Sequence, residues 1–389
     1  MKVLEATAIT KVYGEGQKTI GVSLMYDRVR TEEEVRNTEY TVEGRNIREI
    51  FVNHTGKLEE RETEGTYVIL KLDRWDPEAS TKTMEGKGRD ARVHRVSPSL
   101  RIRQGKESFS TDRERNLTAD QFRPFIFRVP ETGKELAYNL FVPEGMEAGR
   151  QYPLVLFMHD AGSCSVEMQA PLIQGNGATV WAEEEAQKRH PCFVLAPRYP
   201  EVAAADDFTV TWEADATVEL VKEILEKYPV DKRRVYGTGQ SMGCMMLCEL
   251  SLRNPGFFAG CFLVAGQWNP DTMAKARKEN LWILVSEKDE KAFPIMGACM
   301  EQIEKAGGRV TRGELNGTAP MEEQNRKMRE YAGKGNHILF TWYQGDTVMS
   351  GQKAEFPGAY HMATWEKAYS LTAVQDWLFA QKAVPMDFS

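Results

Sequence analysis

The run VYGTGQSMGCMM at residues 235–246 constrains the fold more than any other part of the sequence. It contains the pattern G-x-S-x-G, with Ser241 at its centre, between an apolar run typical of a buried strand and a run typical of a helix. At such a junction the serine adopts a strained backbone, and glycine two positions to either side relieves crowding. The pattern predicts that Ser241 is a nucleophile; the alternative is a glycine-rich turn without chemistry. The backbone N–H of Met242, at the start of the helix, is predicted to face a developing oxyanion.

The sequence around this junction alternates between buried strands and helices. Apolar runs typical of strands buried on both faces are YPLVLFMHDAG, HPCFVLAPRYP, FFAGCFLVAG and NLWILVSEKD. The segment DATVELVKEILEKYPV has apolar residues at helical spacing. This alternation predicts an α/β domain over residues 123–389, with a mostly parallel sheet flanked by helices.

The first part of the chain has a different pattern, in which short β-rich runs are separated by turn residues. The run TIGVSLMY alternates apolar side chains on one face, namely Ile20, Val22, Leu24 and Tyr26. Further short runs are REIFVNHTG and GTYVILKLD, and no helical pattern stands out. We therefore expect a small all-β sandwich over residues 1–105. The polar segment KESFSTDRERNLTADQF predicts a linker over residues 106–122.

A serine hydroxyl needs a base, and the chain has six histidines, at positions 54, 94, 159, 190, 337 and 361. A hydrolase with a G-x-S-x-G junction places nucleophile, acid and histidine in that chain order, which leaves His337 and His361. His337 begins an apolar run typical of a strand. His361 lies between the turn-forming loop EFPGAY and an amphipathic final helix, so we favour His361 as the base.

The third member of a triad orients the imidazole and stabilises its protonated form. The strand run NLWILVSEKDEKAFP ends in three candidate carboxylates, Glu287, Asp289 and Glu290. We favour Asp289, because it stands where the strand has ended and the loop turns.

The other candidate site residues are less constrained. The second oxyanion donor is expected from the loop after the first buried strand, FMHDAGS, where the small residues Ala161 and Gly162 allow a close approach of the backbone; which of the two donates stays open, and a plain turn is the alternative. Gln240 and Trp268 are candidate substrate-binding residues, with core packing as the alternative for Trp268. For Trp212 and Trp365 we expect core packing.

At these residues the chain resembles the α/β-hydrolase esterases that carry an N-terminal immunoglobulin-like domain, akin to polyhydroxybutyrate-depolymerase-type and feruloyl-type esterases. ITKVYGEGQK, YTVEGRNIREIFVN and TGKELAYNLFVPEG are similar to the leading domain and entry strand of that family. The catalytic core of the family is similar, in order, to YPLVLFMHDAG, VDKRRVYGTGQSMG, VAGQW, EKDEKAF and YHMATWEKAYSLTAVQDWLF. The likeness covers nearly the whole chain, and the combination of motifs is more specific than any one of them.

The resemblance implies that Ser241, Asp289 and His361 form the triad and that Met242 and Ala161 flank the oxyanion. The chain departs from the family pattern at Asp160, which replaces the glycine common in its His-Gly-Ala-Gly run. A carboxylate directed at the oxyanion would oppose negative charge, so we expect Asp160 to point away.

Composition and charge limit the partners. The net charge of −7 argues against nucleic acid, and no apolar run reaches the length of about 18 residues of a membrane span. The opening MKVLEATAITKVYG lacks the apolar core of a signal peptide, which predicts a cytoplasmic protein or one whose signal has been removed. The six cysteines include no CxxC pair and are expected to be buried free thiols rather than disulfides or a metal site. No phosphate-binding loop, dinucleotide fingerprint or metal-ligand pattern appears, so we expect no cofactor and no metal.

The resulting hypothesis is a serine carboxylesterase that acts on a small or polymer-derived ester, with short-chain or feruloyl-type esters favoured. One alternative is a serine peptidase of the prolyl-oligopeptidase type, for which the leading part of the chain is too short to hold the usual propeller. Another is a binding protein without activity on the same scaffold. Three roles stay open for the leading domain, namely restricting access to the site, binding a polymer or forming a homo-oligomer. Residues 308–355, with the charged helical run PMEEQNRKMREYAGKG, form either a cap over the site or a surface helix.

Overall fold

The structure, a computed structural model, describes residues 2–86, 90, 92–351, 353–356 and 358–383. The chain divides into two compact units. One comprises Met1–Met84 with His94–Gln121, and the other Glu85–Val93 with Phe122–Ser389. None of the helices in the described part is long and apolar enough to cross a membrane.

The first unit is built almost entirely of strands. The described part of residues 2–121, a range that also contains the second-unit segment Glu85–Val93, has the strands β1 (Val3–Tyr13), β2 (Gly16–Thr31), β3 (Tyr40–Val42), β4 (Ile47–Asn53), β5 (Glu64–Leu72), β6 (Lys82–Glu85), β7 (Arg92–Arg95), β8 (Arg101–Gln104), β9 (Glu107–Ser110) and β10 (Arg113–Asn116). They form a five-stranded sheet in the order β10-β1-β2-β5-β4, a three-stranded sheet β3-β8-β9 and the pair β6-β7. A short helix that the sequence pattern did not predict, α1 (Glu32–Arg36), begins with a capping box between Thr31 and Glu34.

The core of this unit lies between the five-stranded and the three-stranded sheets. Val22 and Leu24 of β2 and Leu70 of β5 pack there with Val42 of β3 and Ile102 of β8, all buried. The two sheets thus form the predicted sandwich.

The predicted alternation along β2 fails at Ile20. A bulge between β1 and β2 leaves Ile20 as an extra residue, because Ile9 pairs with Gly21 while Thr10 pairs with Thr19. Ile20 therefore packs with a second apolar cluster that contains Ile9, and not with Val22.

The segment 106–122 is not the linker that its polarity predicted. It contains β9 and β10, and β10 pairs with β1 in parallel, with Thr10 opposite Asn116. The Oδ1 atom of Asn116 accepts hydrogen bonds from Thr10 Oγ1 at 2.7 Å and Gln17 Nε2 at 3.0 Å. These are edge strands, and their exposed faces account for the polar composition.

The second unit contains one large sheet. Its strands are β11 (Phe122–Arg128), β12 (Glu135–Phe141), β13 (Tyr152–Met158), β14 (Phe193–Arg198), β15 (Val230–Gln240), β16 (Gly260–Val264), β17 (Leu281–Ser286), β18 (Val310–Leu315) and β19 (Ile338–Tyr343). These strands run in the order β11-β12-β14-β13-β15-β16-β17-β19-β18. The β11–β12 and β12–β14 pairs are antiparallel, and the pairs from β14 to β18 are parallel.

Helices cover both faces of this sheet. They are α2 (Ala170–Ile173), α3 (Glu184–Arg189), α4 (Trp212–Lys227), α5 (Met242–Arg253), α6 (Pro270–Met273), α7 (Ala292–Lys305), α8 (Met321–Ala332), α9 (Ala359–Ala368) and α10 (Thr372–Ala380). Successive residues of β13 point to opposite faces, so Leu154 and Leu156 pack in the cluster with α4, α5 and α7, while Val155 and Phe157 pack in the cluster with α8, α9 and α10. The predicted α/β-hydrolase architecture is confirmed, and the loops after β13, β15, β16 and β17 meet at the carboxyl edge of the sheet.

Within the predicted segment 308–355, β18, α8 and β19 form a β-α-β unit at the sheet edge. The predicted charged helix is α8, and its buried face packs on β18, where the hydroxyl of Tyr331 donates to the carbonyl of Glu314 at 2.8 Å. The ring of Tyr331 lies over Gly313, where a Cβ atom would come within 2.3 Å of it. α8 thus covers the outer strand of the sheet.

Candidate active site

Ser241 lies in a sharp turn between β15 and α5. Its backbone has φ 52° and ψ −117°, a positive-φ conformation that costs a non-glycine residue about 1–3 kcal/mol. Hydrogen bonds on both sides hold it there, from Ser241 N–H to the Val264 carbonyl and from Met245 N–H to the Ser241 carbonyl, each 3.0 Å. The turn presents the serine side chain at the carboxyl edge of the sheet.

The two glycines of the motif allow backbone to pack against backbone. A Cβ atom on Gly243 would lie 2.0 Å from the Met158 carbonyl oxygen, and one on Gly239 would lie 2.6 Å from the backbone of Gly243. The start of α5 therefore rests directly on the end of β13. This contact brings the loop after β13 beside Ser241.

The structure brings the three predicted triad residues together. The Oγ of Ser241 lies 2.9 Å from Nε2 of His361, and Nδ1 of the same ring lies 2.5 Å from Oδ2 of Asp289. With Nδ1–H donating to the carboxylate, Nε2 is free to accept the serine proton. Residues from three distant parts of the chain thus form one hydrogen-bonded path from hydroxyl to carboxylate.

Asp289 is only 5% exposed and is held by the start of α7. Its Oδ1 accepts hydrogen bonds from the backbone N–H groups of Lys291 at 3.2 Å and Ala292 at 2.9 Å. Burial alone would raise the pKa of Asp289, but the hydrogen bond and charge of His361, with the two N–H groups, outweigh it and lower the pKa. The carboxylate is therefore ionised and able to stabilise a protonated imidazole.

The two rival carboxylates, Glu287 and Glu290, lie elsewhere. Both are exposed and line a surface cavity of about 560 Å³, and Glu287 accepts a hydrogen bond from the Gly345 N–H at 2.7 Å. The rival base His337 bonds to Asn280 at 2.7 Å. Of these candidates, Asp289 and His361 are the ones hydrogen-bonded in one path with Ser241.

His361 lies in the first turn of α9 and packs against Trp365, one turn further on. The two rings meet edge to face, with centroids 5.1 Å apart and planes at 84°. Trp365 is buried in the core as expected, and it also packs against the ring of His361, a contact that the sequence analysis missed. The spacing of four residues on a helix was the available signal.

The loop after β13 is fixed by the buried His159. The backbone N–H of Tyr199 donates to Nε2 of His159 at 3.0 Å, so Nδ1 carries the proton and donates to the Asp160 carbonyl at 2.8 Å. Burial lowers the pKa of His159, which keeps the ring neutral. Ala161, the predicted second oxyanion donor, follows in this loop, and Met242 is the first residue of α5. Their roles as donors stay predictions.

Two predicted substrate-binding residues are placed differently. Gln240 has no exposed surface, and its Nε2 donates to Asp160 Oδ1 at 3.1 Å and to Gln174 Oε1 at 3.0 Å. Trp268 is 1% exposed, and its indole donates to Glu249 at 3.1 Å. The structure corrects both predictions, because each side chain is used for packing and internal hydrogen bonds beneath the surface.

All six cysteines are buried and unpaired, as predicted. In the part of the chain that the structure describes, no group of three or more His, Cys, Asp or Glu side chains is arranged to hold a metal ion. The reactive groups that the chain brings together at this site are those of the triad.

Known proteins share this architecture. Residues 5–116 match the model of the esterase Ig-like N-terminal domain family. Among solved structures, a thermostable esterase matches with a TM-score of 0.82 and 23% identity, over 98% of this chain and all of its own. A ferulic acid esterase matches with a TM-score of 0.43 and 13% identity, over 67% of this chain and 98% of its own. A feruloyl esterase module from Clostridium thermocellum matches with a TM-score of 0.44 and 12% identity, over 69% of this chain and 92% of its own. No curated protein sequence matches this chain.

The family match to the first unit and the whole-chain likeness in fold agree with the architecture that the resemblance implied. Residues 5–116 thus match the esterase Ig-like N-terminal domain model, and the second unit has the α/β-hydrolase fold.

Proposed function

We propose that this protein is a serine carboxylesterase. The observation that carries the proposal is the hydrogen-bonded chain from Ser241 Oγ through His361 to Asp289, with steps of 2.9 Å and 2.5 Å. A serine on a strained turn, an imidazole and an ionised carboxylate at these distances form the arrangement that acyl transfer requires. The esterase Ig-like family of the first unit supports an ester as the substrate.

Catalysis begins with attack of Ser241 Oγ on the ester carbonyl carbon while His361 Nε2 accepts the hydroxyl proton. Asp289 stabilises the resulting imidazolium through Nδ1. The negative charge on the carbonyl oxygen is stabilised by backbone N–H groups, for which we propose Met242 and Ala161. The tetrahedral intermediate then expels the alcohol, which takes its proton from His361 and leaves an acyl-serine.

Hydrolysis of the acyl-serine follows the same route in reverse. Water replaces the alcohol, His361 accepts one of its protons, and the resulting oxygen nucleophile attacks the acyl carbon. Collapse of the second intermediate returns the proton to Ser241 and releases the carboxylic acid. The chain supplies every proton acceptor and donor in this cycle, so we propose that no cofactor takes part.

The proposal favours an esterase over a peptidase of the prolyl-oligopeptidase type. The first unit is a sandwich of a five-stranded and a three-stranded sheet, whereas that peptidase type usually carries a large propeller. Among the esters, we propose substrates with short-chain or feruloyl-type acyl groups. Oligomerisation through the first unit stays a prediction.

The test is a comparison of initial rates on p-nitrophenyl acetate, butyrate and octanoate, methyl ferulate and a peptide p-nitroanilide. We expect ester turnover to exceed anilide turnover and to fall by at least about 10⁴-fold in Ser241→Ala. Ser251→Ala is the matched control, because Ser251 is a buried serine on the same helix whose hydroxyl donates to the Leu247 carbonyl at 2.8 Å. Equal ester turnover in wild type and Ser241→Ala contradicts the proposal, and faster anilide than ester turnover favours the peptidase.

A further inference from the structure

A single buried carboxylate connects the two loops that are proposed to supply the oxyanion donors. Asp160 is 8% exposed and directly precedes Ala161, and Gln240 is fully buried and directly precedes Ser241. Oδ1 of Asp160 accepts a hydrogen bond from Gln240 Nε2 at 3.1 Å and another from Ser163 Oγ at 2.8 Å. The carboxylate thus reaches across from the loop after β13 to the turn after β15.

The partners of this carboxylate come from both loops. Ser163 ends the short turn Ala161–Ser163 that Asp160 begins, so its bond closes the oxyanion loop on itself. Gln240 is the last residue of β15, and its amide is fixed a second time by Gln174 Oε1 at 3.0 Å. A buried carboxylate is costly unless donors satisfy it, so these bonds restrict its position strongly.

The position matters because the two donors belong to different elements. Met242 N–H is carried by α5 and Ala161 N–H by the loop after β13, and stabilisation of an oxyanion needs both at hydrogen-bond distance from one atom. The backbone contact of Gly243 with Met158 sets how close the two elements come. The bond between Gln240 and Asp160 adds a directional connection between them.

We propose that Asp160 is a positioning residue that aligns the oxyanion loop with the nucleophile through Gln240 and Ser163. It does this through the acceptor geometry of Oδ1 and not through its negative charge. Its Oδ1 is directed towards Gln240 and Ser163, which accounts for how the chain accommodates a carboxylate beside an oxyanion site. The inference rests on the proposed function, because it assigns a task within the same acyl transfer.

The test compares variants that remove the connection with one that keeps it. Asp160→Ala and Gln240→Met each break the bond between the two loops, whereas Asp160→Asn keeps an acceptor at Oδ1 without the charge. We expect kcat to fall about tenfold to a hundredfold in the first two, with KM within about threefold, because misplacing a donor weakens transition-state binding alone. Asp160→Asn is expected to recover kcat to within about fivefold of wild type.

Coupling between the two residues provides a second measurement. If Asp160 acts on the nucleophile turn through Gln240, the double variant Asp160→Ala/Gln240→Met has the same kcat as Asp160→Ala, because Asp160→Ala has already removed the bond between the two residues; losses that multiply in the double variant overturn this route. Gln187→Met is the matched control. Its amide donates to the Trp181 carbonyl at 2.7 Å and the Cys192 carbonyl at 3.1 Å, before the amino end of β14, so we expect lower stability with unchanged kcat.

The rate of phosphonylation by a fluorophosphonate probe, measured on the same folded variants, reports on the same donors without an ester. If the wild-type protein reacts with the probe but does not turn over esters, the proposed function is overturned. The positioning role is then tested by the probe rates of the variants. The positioning role is overturned if Asp160→Ala has the kcat and the probe rate of the wild-type protein. It is also overturned if Asp160→Asn is as slow as Asp160→Ala. A wild-type protein that reacts with neither esters nor the probe overturns both.

Discussion

Substitution of Gly243 by alanine tests how closely the nucleophile turn depends on backbone contact. The new Cβ would lie 2.0 Å from the Met158 carbonyl oxygen and 3.0 Å from the His159 carbonyl oxygen. Both atoms belong to the backbone, so the start of α5 must move by about 1.5 Å to restore an ordinary contact. Overpacking of this kind costs about 1–3 kcal/mol of unfolding free energy, and a shift of about 1 Å in a catalytic donor lowers kcat about 100-fold.

The assay for Gly243→Ala is p-nitrophenyl butyrate turnover together with urea unfolding. With an unfolding free energy in the usual range of about 5–15 kcal/mol the variant stays folded, so the loss of kcat is not a loss of folded enzyme. Gly297→Ala is the matched control, because Gly297 lies inside α7 and a Cβ atom added there would have no atom within 4 Å. We expect it to gain about 0.5–1 kcal/mol in stability with unchanged kcat. Wild-type kcat in Gly243→Ala would refute the reasoning.

Three further predictions concern the triad. Asp289→Asn is expected to lower kcat about 10⁴-fold on p-nitrophenyl butyrate with little change in KM, because the imidazolium loses its counter-charge; a loss under tenfold contradicts the assigned role. Burial raises the pKa of Asp289, but His361 and two backbone N–H groups lower it by more, so the folded pKa lies below the unfolded value of about 3.9. The ionised carboxylate therefore stabilises the fold above the unfolded pKa, and this stabilisation is lost as the pH falls through the lower folded pKa. Urea unfolding between pH 2 and pH 6 should therefore show a steeper loss for wild type than for Asp289→Asn, and parallel curves refute this. Trp365→Ala is expected to cost about 3–5 kcal/mol and to lower kcat by releasing the ring of His361, whereas Trp365→Phe should keep most of the activity; equal kcat in all three proteins contradicts the supporting contact.

The grouping of Ser241, Asp289 and His361 was predictable because each of the three residues carries a local signal. Ser241 has glycines at both required positions, and the chain order of nucleophile, acid and histidine leaves few candidates for the other two. In the structure, Asp289 differs from Glu287 and Glu290 because Asp289 is buried and the two glutamates are exposed. The alternation of buried strands and helices likewise predicted the sheet, since strands covered on both faces have few polar residues.

The errors arose where a side chain's direction depends on distant parts of the chain. Gln240 and Trp268 stand next to site residues or strand ends in sequence, but the sheet and its helices direct both side chains into the interior. Residues 106–122 have the composition of a linker because an edge strand exposes much of its surface and needs few apolar residues. The bulge at Ile20 shifts the alternation of β2 by one residue, which no composition reveals.

The most direct test of the central claim is to locate the residue that a fluorophosphonate modifies. Intact-mass analysis followed by peptide mapping would be carried out on wild type, Ser241→Ala and the control Ser251→Ala. The account predicts one covalent adduct, on Ser241, in wild type and Ser251→Ala and none in Ser241→Ala, with ester turnover lost in step with labelling. An adduct on another residue, or labelling that persists in Ser241→Ala, would contradict the assignment of Ser241 as the nucleophile.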